Sequence, residues 1–164
     1  MDGKVGRILR EGLVGGLIAY VAVVVVLAIL NAAQGRSVFY TAAAMGAVLF
    51  HGSEAATAFA LDPAPILAYN GLHLAGSLGV ALLAAVLVYE AEVHRSLWYI
   101  GLMVGIGVMI FAVLFFGVVG VEIGAVLDWP TAAVGATTWG GATAGYFLGV
   151  HRGLLDGSRQ ALEA

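Results

Sequence analysis

Charged residues punctuate this chain and leave long apolar runs between them. The uncharged stretches are Gly12 to Gly35, Pro63 to Tyr89, Ser96 to Val121 and Trp129 to Val150. A helix of about 20 mostly apolar residues covers the ~30 Å hydrocarbon layer of a bilayer, so each run predicts a spanning helix. Trimmed to the turn and interface residues at their borders, the spans are 12–32, 65–89, 97–120 and 130–150. A further apolar stretch, 38–50, would cover only about 20 Å as a helix, too little for a normal span. The pattern predicts an all-α fold: a transmembrane four-helix bundle with an additional short interfacial or re-entrant helix between the first and second spans. Residues 1–164 then form a single integral membrane domain.

The borders carry their own signals. Asp62, Pro63 and Pro65 break the chain before the second span, and Pro130 suits the first turn of the fourth. Tyr89, Trp98, Tyr99 and Trp129 fall where amphipathic rings favour the headgroup level. Positive charge sets the orientation. If 38–50 does not cross, Lys4, Arg7, Arg10, Arg95, Arg152 and Arg159 share one side and only Arg36 is opposite. If it crosses, Arg36, Arg95, Arg152 and Arg159 all move outside. The positive-inside rule favours the first arrangement, with both termini cytoplasmic.

Composition strengthens this picture and removes some chemistry. The chain is 62% hydrophobic and 10% charged, with a mean hydropathy of +1.01. Soluble domains carry about 25% charged residues, and a chain this short could not hide so much apolar surface from water. With no cysteine, disulfides, thiolate zinc sites, iron–sulfur ligation and covalent haem attachment are excluded. A net charge of −3 and the lack of a basic tract give no sign of nucleic-acid binding. The apolar run after Lys4, Arg7 and Arg10 is longer than the roughly 7–15 residues of a signal-peptide core, so it reads as a retained first span. The outer side carries Glu54, Asp62, Glu122 and Asp128 against Arg36. It is read either as a solvated acidic surface or as a docking face for a basic partner.

Helices in lipid associate through close packing, which small residues permit. Glycines at four-residue spacing predict packing stripes: Gly71 and Gly79 with Ala75 in the second span, Gly101 and Gly105 in the third, and Gly141, Gly145 and Gly149 in the fourth. Biased composition alone would also supply such glycines.

His73 is the chemical anomaly, an ionisable side chain well inside a predicted span, and such a group marks a candidate functional site. Asn70 is one turn away, and depth matching places Thr137 and Thr138 opposite. A hydroxyl from one of these is expected to bond the ring; haem b or a quinone beside His73 is the alternative, with Asn70 and Thr138 completing the site. A haem between helices usually takes two axial histidines; His94 and His151 lie at the far side, and only His51 could approach. His51 and Glu54 at i, i+3 are weak metal-ligand candidates, a spacing used in carboxylate metal sites; with no second pair, a solvated role is the simpler reading. No phosphate-binding loop, nucleophile elbow or zinc-protease motif is present.

The stretch Gly35-Arg36-Ser37-Val38-Phe39-Tyr40-Thr41-Ala42, continuing to Gly46 and Leu49-Phe50, then Tyr69, His73 and Trp139, is similar to a pattern in small bacterial four-span membrane proteins for which no activity is established. The resemblance implies the same four-span architecture across most of the chain and implies no mechanism. The resulting expectation is a non-catalytic accessory or structural subunit, not an enzyme. It would pack through lipid-embedded faces against other membrane protein subunits of a larger complex, such as one of respiratory or photosynthetic energy conversion.

Overall fold

A computed structural model describes residues 3–52, 60–94 and 128–152. The predicted third span at 97–120, with Gly101 and Gly105, lies outside the described residues, as does Glu54. Four helices and no strand occur among the described residues: α1 (Gly3–Ala33), α2 (Tyr40–His51), α3 (Pro63–Val93) and α4 (Trp129–Val150). Two of them, α1 and α3, are long and apolar enough to cross a membrane.

The helix ends follow local sequence rules. Gly35 has φ of 70°, and around it the Arg36 N–H donates to the Asn31 carbonyl while the Gly35 N–H donates to Ala32. This is the Schellman arrangement, in which a glycine takes the left-handed position that closes a helix. Asp62 and Asp128 are N-caps followed by prolines in the first turn. Their carboxylates accept from the Ala64 and Thr131 N–H groups at 3.0 and 2.8 Å, satisfying donors that an α-helix start leaves unpaired.

Helix α1 is the central element and packs on both α3 and α4. Adjacent positions on α1 serve different neighbours. A Cβ added at Gly16 would stand 2.7 Å from the Leu78 Cα of α3, and one at Gly12 would stand 2.8 Å from the Leu82 Cα. One at Gly15 would meet Tyr146 and Phe147 of α4 at 3.0 and 3.3 Å. The matching small residues on α3 are Ser77, Ala81 and Ala85, all buried at four-residue spacing. Helix α2 sits against the start of α3, where Gly46 abuts the Pro65 backbone carbonyl, and Asn31 of α1 accepts from the Thr41 hydroxyl at 3.1 Å.

Among the described residues, the close packing does not run along the glycine stripes of α3 and α4. Gly71, Gly79, Gly141, Gly145 and Gly149 are exposed, and a Cβ at any of them would meet no atom of the described residues within 4 Å. On α3 the buried stripe starts at Ser77, two residues from Gly79. Two helical residues turn through about 200°, so the glycines occupy the opposite face.

Candidate functional site

The densest polar cluster lies where the start of α1 meets the ends of α3 and α4. Antiparallel packing brings the N-terminal turns of α1 beside the C-terminal turns of the other two. On α1, Arg7 and Glu11 are four residues apart and share a face; the Arg7 Nε donates to Glu11 Oε1 at 2.9 Å. From α3, Glu92 Oε2 accepts from Arg7 Nη2 at 2.9 Å. His151, the C-cap of α4, places its ring between the two carboxylates. Its Nδ1 is 2.6 Å from Glu92 Oε1, and its Nε2 is 3.1 Å from Glu11 Oε2. Arg7 Nη2 also stands 3.1 Å from His151 Nδ1.

The cluster is closed on its inner side. Glu11 and His151 are 4% and 3% exposed, whereas the Glu92 side chain is 30% exposed. Phe147 stacks beneath the imidazole at 6.3 Å and joins Ala81 and Ala85 in the apolar layer below. A C-terminal helix end carries partial negative charge, which favours a cation where His151 stands. Lys4 and Glu90 form a separate surface pair at 2.9 Å, with Lys4 also over the Tyr89 ring. No buried side-chain nitrogen or oxygen among the described residues lacks a hydrogen-bond partner, as expected where unpaired polar groups are costly.

His73 is placed differently from expectation. Its neighbours are aromatic: Tyr20 of α1 edge-on at 5.4 Å and Tyr69 one turn away at 5.9 Å. The expected bond from Thr137 or Thr138 is not formed. The Thr137 hydroxyl instead donates within α4, to the Ala133 and Val134 carbonyls. Asn70 is already engaged: its side-chain oxygen accepts from the Tyr20 hydroxyl at 3.1 Å, and its amide donates to the Ile66 carbonyl at 2.8 Å. The α3–α4 contact in this region is made by Trp139, whose indole donates to Ser77 Oγ at 3.1 Å. His51 is exposed at the end of α2. No group of three His, Asp or Glu among the described residues is arranged to hold a metal. Of the outer acids, Asp62 and Asp128 are occupied as helix caps.

The buried cluster is hidden in the sequence because its members are far apart along the chain, and Arg7 stands there simply as one of the basic residues that set orientation. One local signal was available: Arg7 and Glu11 at i, i+4. Glu92 and His151 become partners only when the helices dock, 85 and 144 residues from Arg7.

No family model, no curated protein and no solved structure matches the chain.

Proposed function

We propose that this chain is a multi-pass protein of the bacterial inner membrane, with four spans and both termini in the cytoplasm, and that it acts as a non-catalytic accessory subunit of a larger membrane complex. One observation carries the membrane reading. The two long apolar helices are mostly uncovered, with only 22% and 17% of their most apolar windows buried. The core helix of a soluble protein is mostly buried; these expose Leu13, Leu17, Val21 and Ile29 on α1 and Leu67, Leu72 and Leu83 on α3. Apolar side chains on that scale call for lipid or a neighbouring subunit as solvent. The ion cluster joins the N-terminal end of α1 to the C-terminal end of α4, and Arg36 is beyond the other end of α1, which supports placing both termini on one side. The accessory role is supported by polar groups that are largely satisfied within the chain, leaving smooth outer faces for neighbouring helices.

Single cysteines at Ser53 and Ser158 test the topology, since the chain has no native cysteine. Impermeant reagents label them from opposite sides in a four-span protein; labelling from the same side rejects it. Purification from native membranes tests the role, with larger membrane subunits expected to accompany the chain. A second reading keeps His73 as a cofactor contact. It is favoured by the fact that neither the His73 ring nor the Tyr69 hydroxyl has a hydrogen bond among the described residues. A Soret band or a co-extracted quinone in the purified protein selects it.

A further inference from the structure

We propose that Arg7, Glu11, Glu92 and His151 form a proton-binding site whose occupancy closes the seam between the ends of α3 and α4. Both ring nitrogens of His151 face carboxylate oxygens, Nδ1 toward Glu92 at 2.6 Å and Nε2 toward Glu11 at 3.1 Å. A carboxylate only accepts, so with both glutamates ionised the two contacts take two N–H groups, an imidazolium. With the ring doubly protonated the charges balance: Arg7 and His151 against Glu11 and Glu92. All four groups are engaged at once, and the helix end at His151 adds to the preference for a cation.

Loss of the proton leaves one N–H for two carboxylates. The surroundings select which contact is lost. Arg7 Nη2, 3.1 Å from Nδ1, can donate to that nitrogen once it is bare. No described donor stands beside Nε2, which therefore keeps its hydrogen and its bond to Glu11. The Nδ1 proton passes to Glu92 and from there to solvent, because Glu92 is the partly exposed carboxylate of the two. The bare Nδ1 lone pair then faces Glu92 Oε1 across 2.6 Å, a contact that is now repulsive. The tie between α3 and α4 is broken while that between α1 and α4 survives. Among the described residues little else holds this seam directly: α3 and α4 are joined mainly by the Trp139–Ser77 hydrogen bond farther along and by the Ala81, Ala85 and Phe147 layer.

Among the described residues the charged groups facing His151 are Arg7 and Glu11 from α1 and Glu92 from α3. Lys4, Glu90 and His94 form their own surface pairs and do not touch the ring. The closed form binds one proton more than the open form. Raising the pH therefore favours opening, by about tenfold in the open-to-closed ratio per pH unit once release begins.

Spin labels on Val86→Cys and Leu148→Cys, both at exposed positions, read the seam as a distance distribution in bilayers. A single short population is expected in the more acidic samples, with a longer one growing as the pH is raised. In His151→Gln the distribution is expected to be independent of pH. Glu92→Gln, at a partly exposed position where folding is less at risk, is expected to abolish the opening, because the amide can accept from a protonated Nδ1 or donate to a bare one. Ring nitrogen-15 NMR of the closed state is expected to show both His151 nitrogens protonated. A neutral single tautomer in the closed state overturns the proposal. So does a wild-type distribution unchanged across the range, or an opening that persists unaltered in His151→Gln or in Glu92→Gln.

Discussion

The two ends of the bundle are held by different kinds of polar bond. At the end carrying Gly35, Asp62 and Asp128, the bonds are local. Asp128 accepts from a donor three residues on, Gly35 closes the helix it follows, and Asn31 reaches Thr41 across ten residues. At the other end, Glu11 meets His151 across 140 residues and Glu92 meets His151 across 59. The local end determines where helices start and stop. The distant end determines how they dock, because its groups have partners only when three helices are in place. Perturbing the local end therefore weakens one helix terminus, whereas perturbing the distant end strips a buried charge of its partner.

The largest test of that difference is Glu11→Ala. It leaves His151 and Arg7 without their buried carboxylate, and removal of one partner from a buried ion pair costs about 3–5 kcal/mol. Thermal unfolding in bicelles is expected to show a loss of that order; a loss no larger than that for Asp62→Ala would erase the distinction between the ends.

Close packing supplies the next. Gly16→Leu drives a side chain into the α3 backbone, where even a Cβ would stand 2.7 Å from Leu78 Cα. Overpacking of this kind costs about 1–3 kcal/mol, with the upper end expected against unyielding backbone. Gly145→Leu, on a face of α4 that meets none of the described residues, is expected to leave the stability of the isolated chain unchanged. Equal losses for the two would mean that the α4 stripe is also a packing surface.

Asp128→Ala removes an N-cap and is expected to cost about 1 kcal/mol. Its carboxyl is held below the ordinary carboxylate value by the Thr131 side chain, by the Thr131 backbone N–H and by the charge of Arg36. A depressed carboxylate stabilises the fold above its unfolded-state value and loses that contribution as the pH falls through the lower folded one. The wild type and Asp128→Ala are thus expected to differ at neutral pH and to converge in acid, below about pH 4. A gap that persists in acid would assign the effect to something other than the cap.

The smallest effect is expected for Lys4→Ala. The Lys4–Glu90 pair is solvent-exposed, and exposed pairs contribute little. No shift in the unfolding midpoint is expected, and a clear one would show that the surface pair shares in the docking of the buried cluster.

Local chemistry made the elements legible. Charge-free runs overlap α1, α3 and α4, although α1 begins at Gly3 and α3 continues to Val93, beyond the runs; the Asp-Pro and Asp-Trp-Pro signals fall at two of the starts. Such features act through neighbours a few residues away, so spacing alone exposes them. Facing is another matter. Helix α3 carries two small-residue stripes, Gly71/Ala75/Gly79 and Ser77/Ala81/Ala85, and no rule of spacing ranks one above the other. Docking against Gly12 and Gly16 buried the second, while the first meets none of the described residues. His73 had the same ambiguity: rotation of α3 set it between Tyr20 and Tyr69, away from the threonines of α4. The sequence by itself determined that the fold is all-α and that it includes helices long and apolar enough to cross a membrane. Only the tertiary structure decided which stripe is buried and that Arg7, Glu11, Glu92 and His151 converge. Helix formation is governed by contacts within a few residues along the chain, whereas facing and charge pairing are settled by contacts between residues that meet only when whole helices come together.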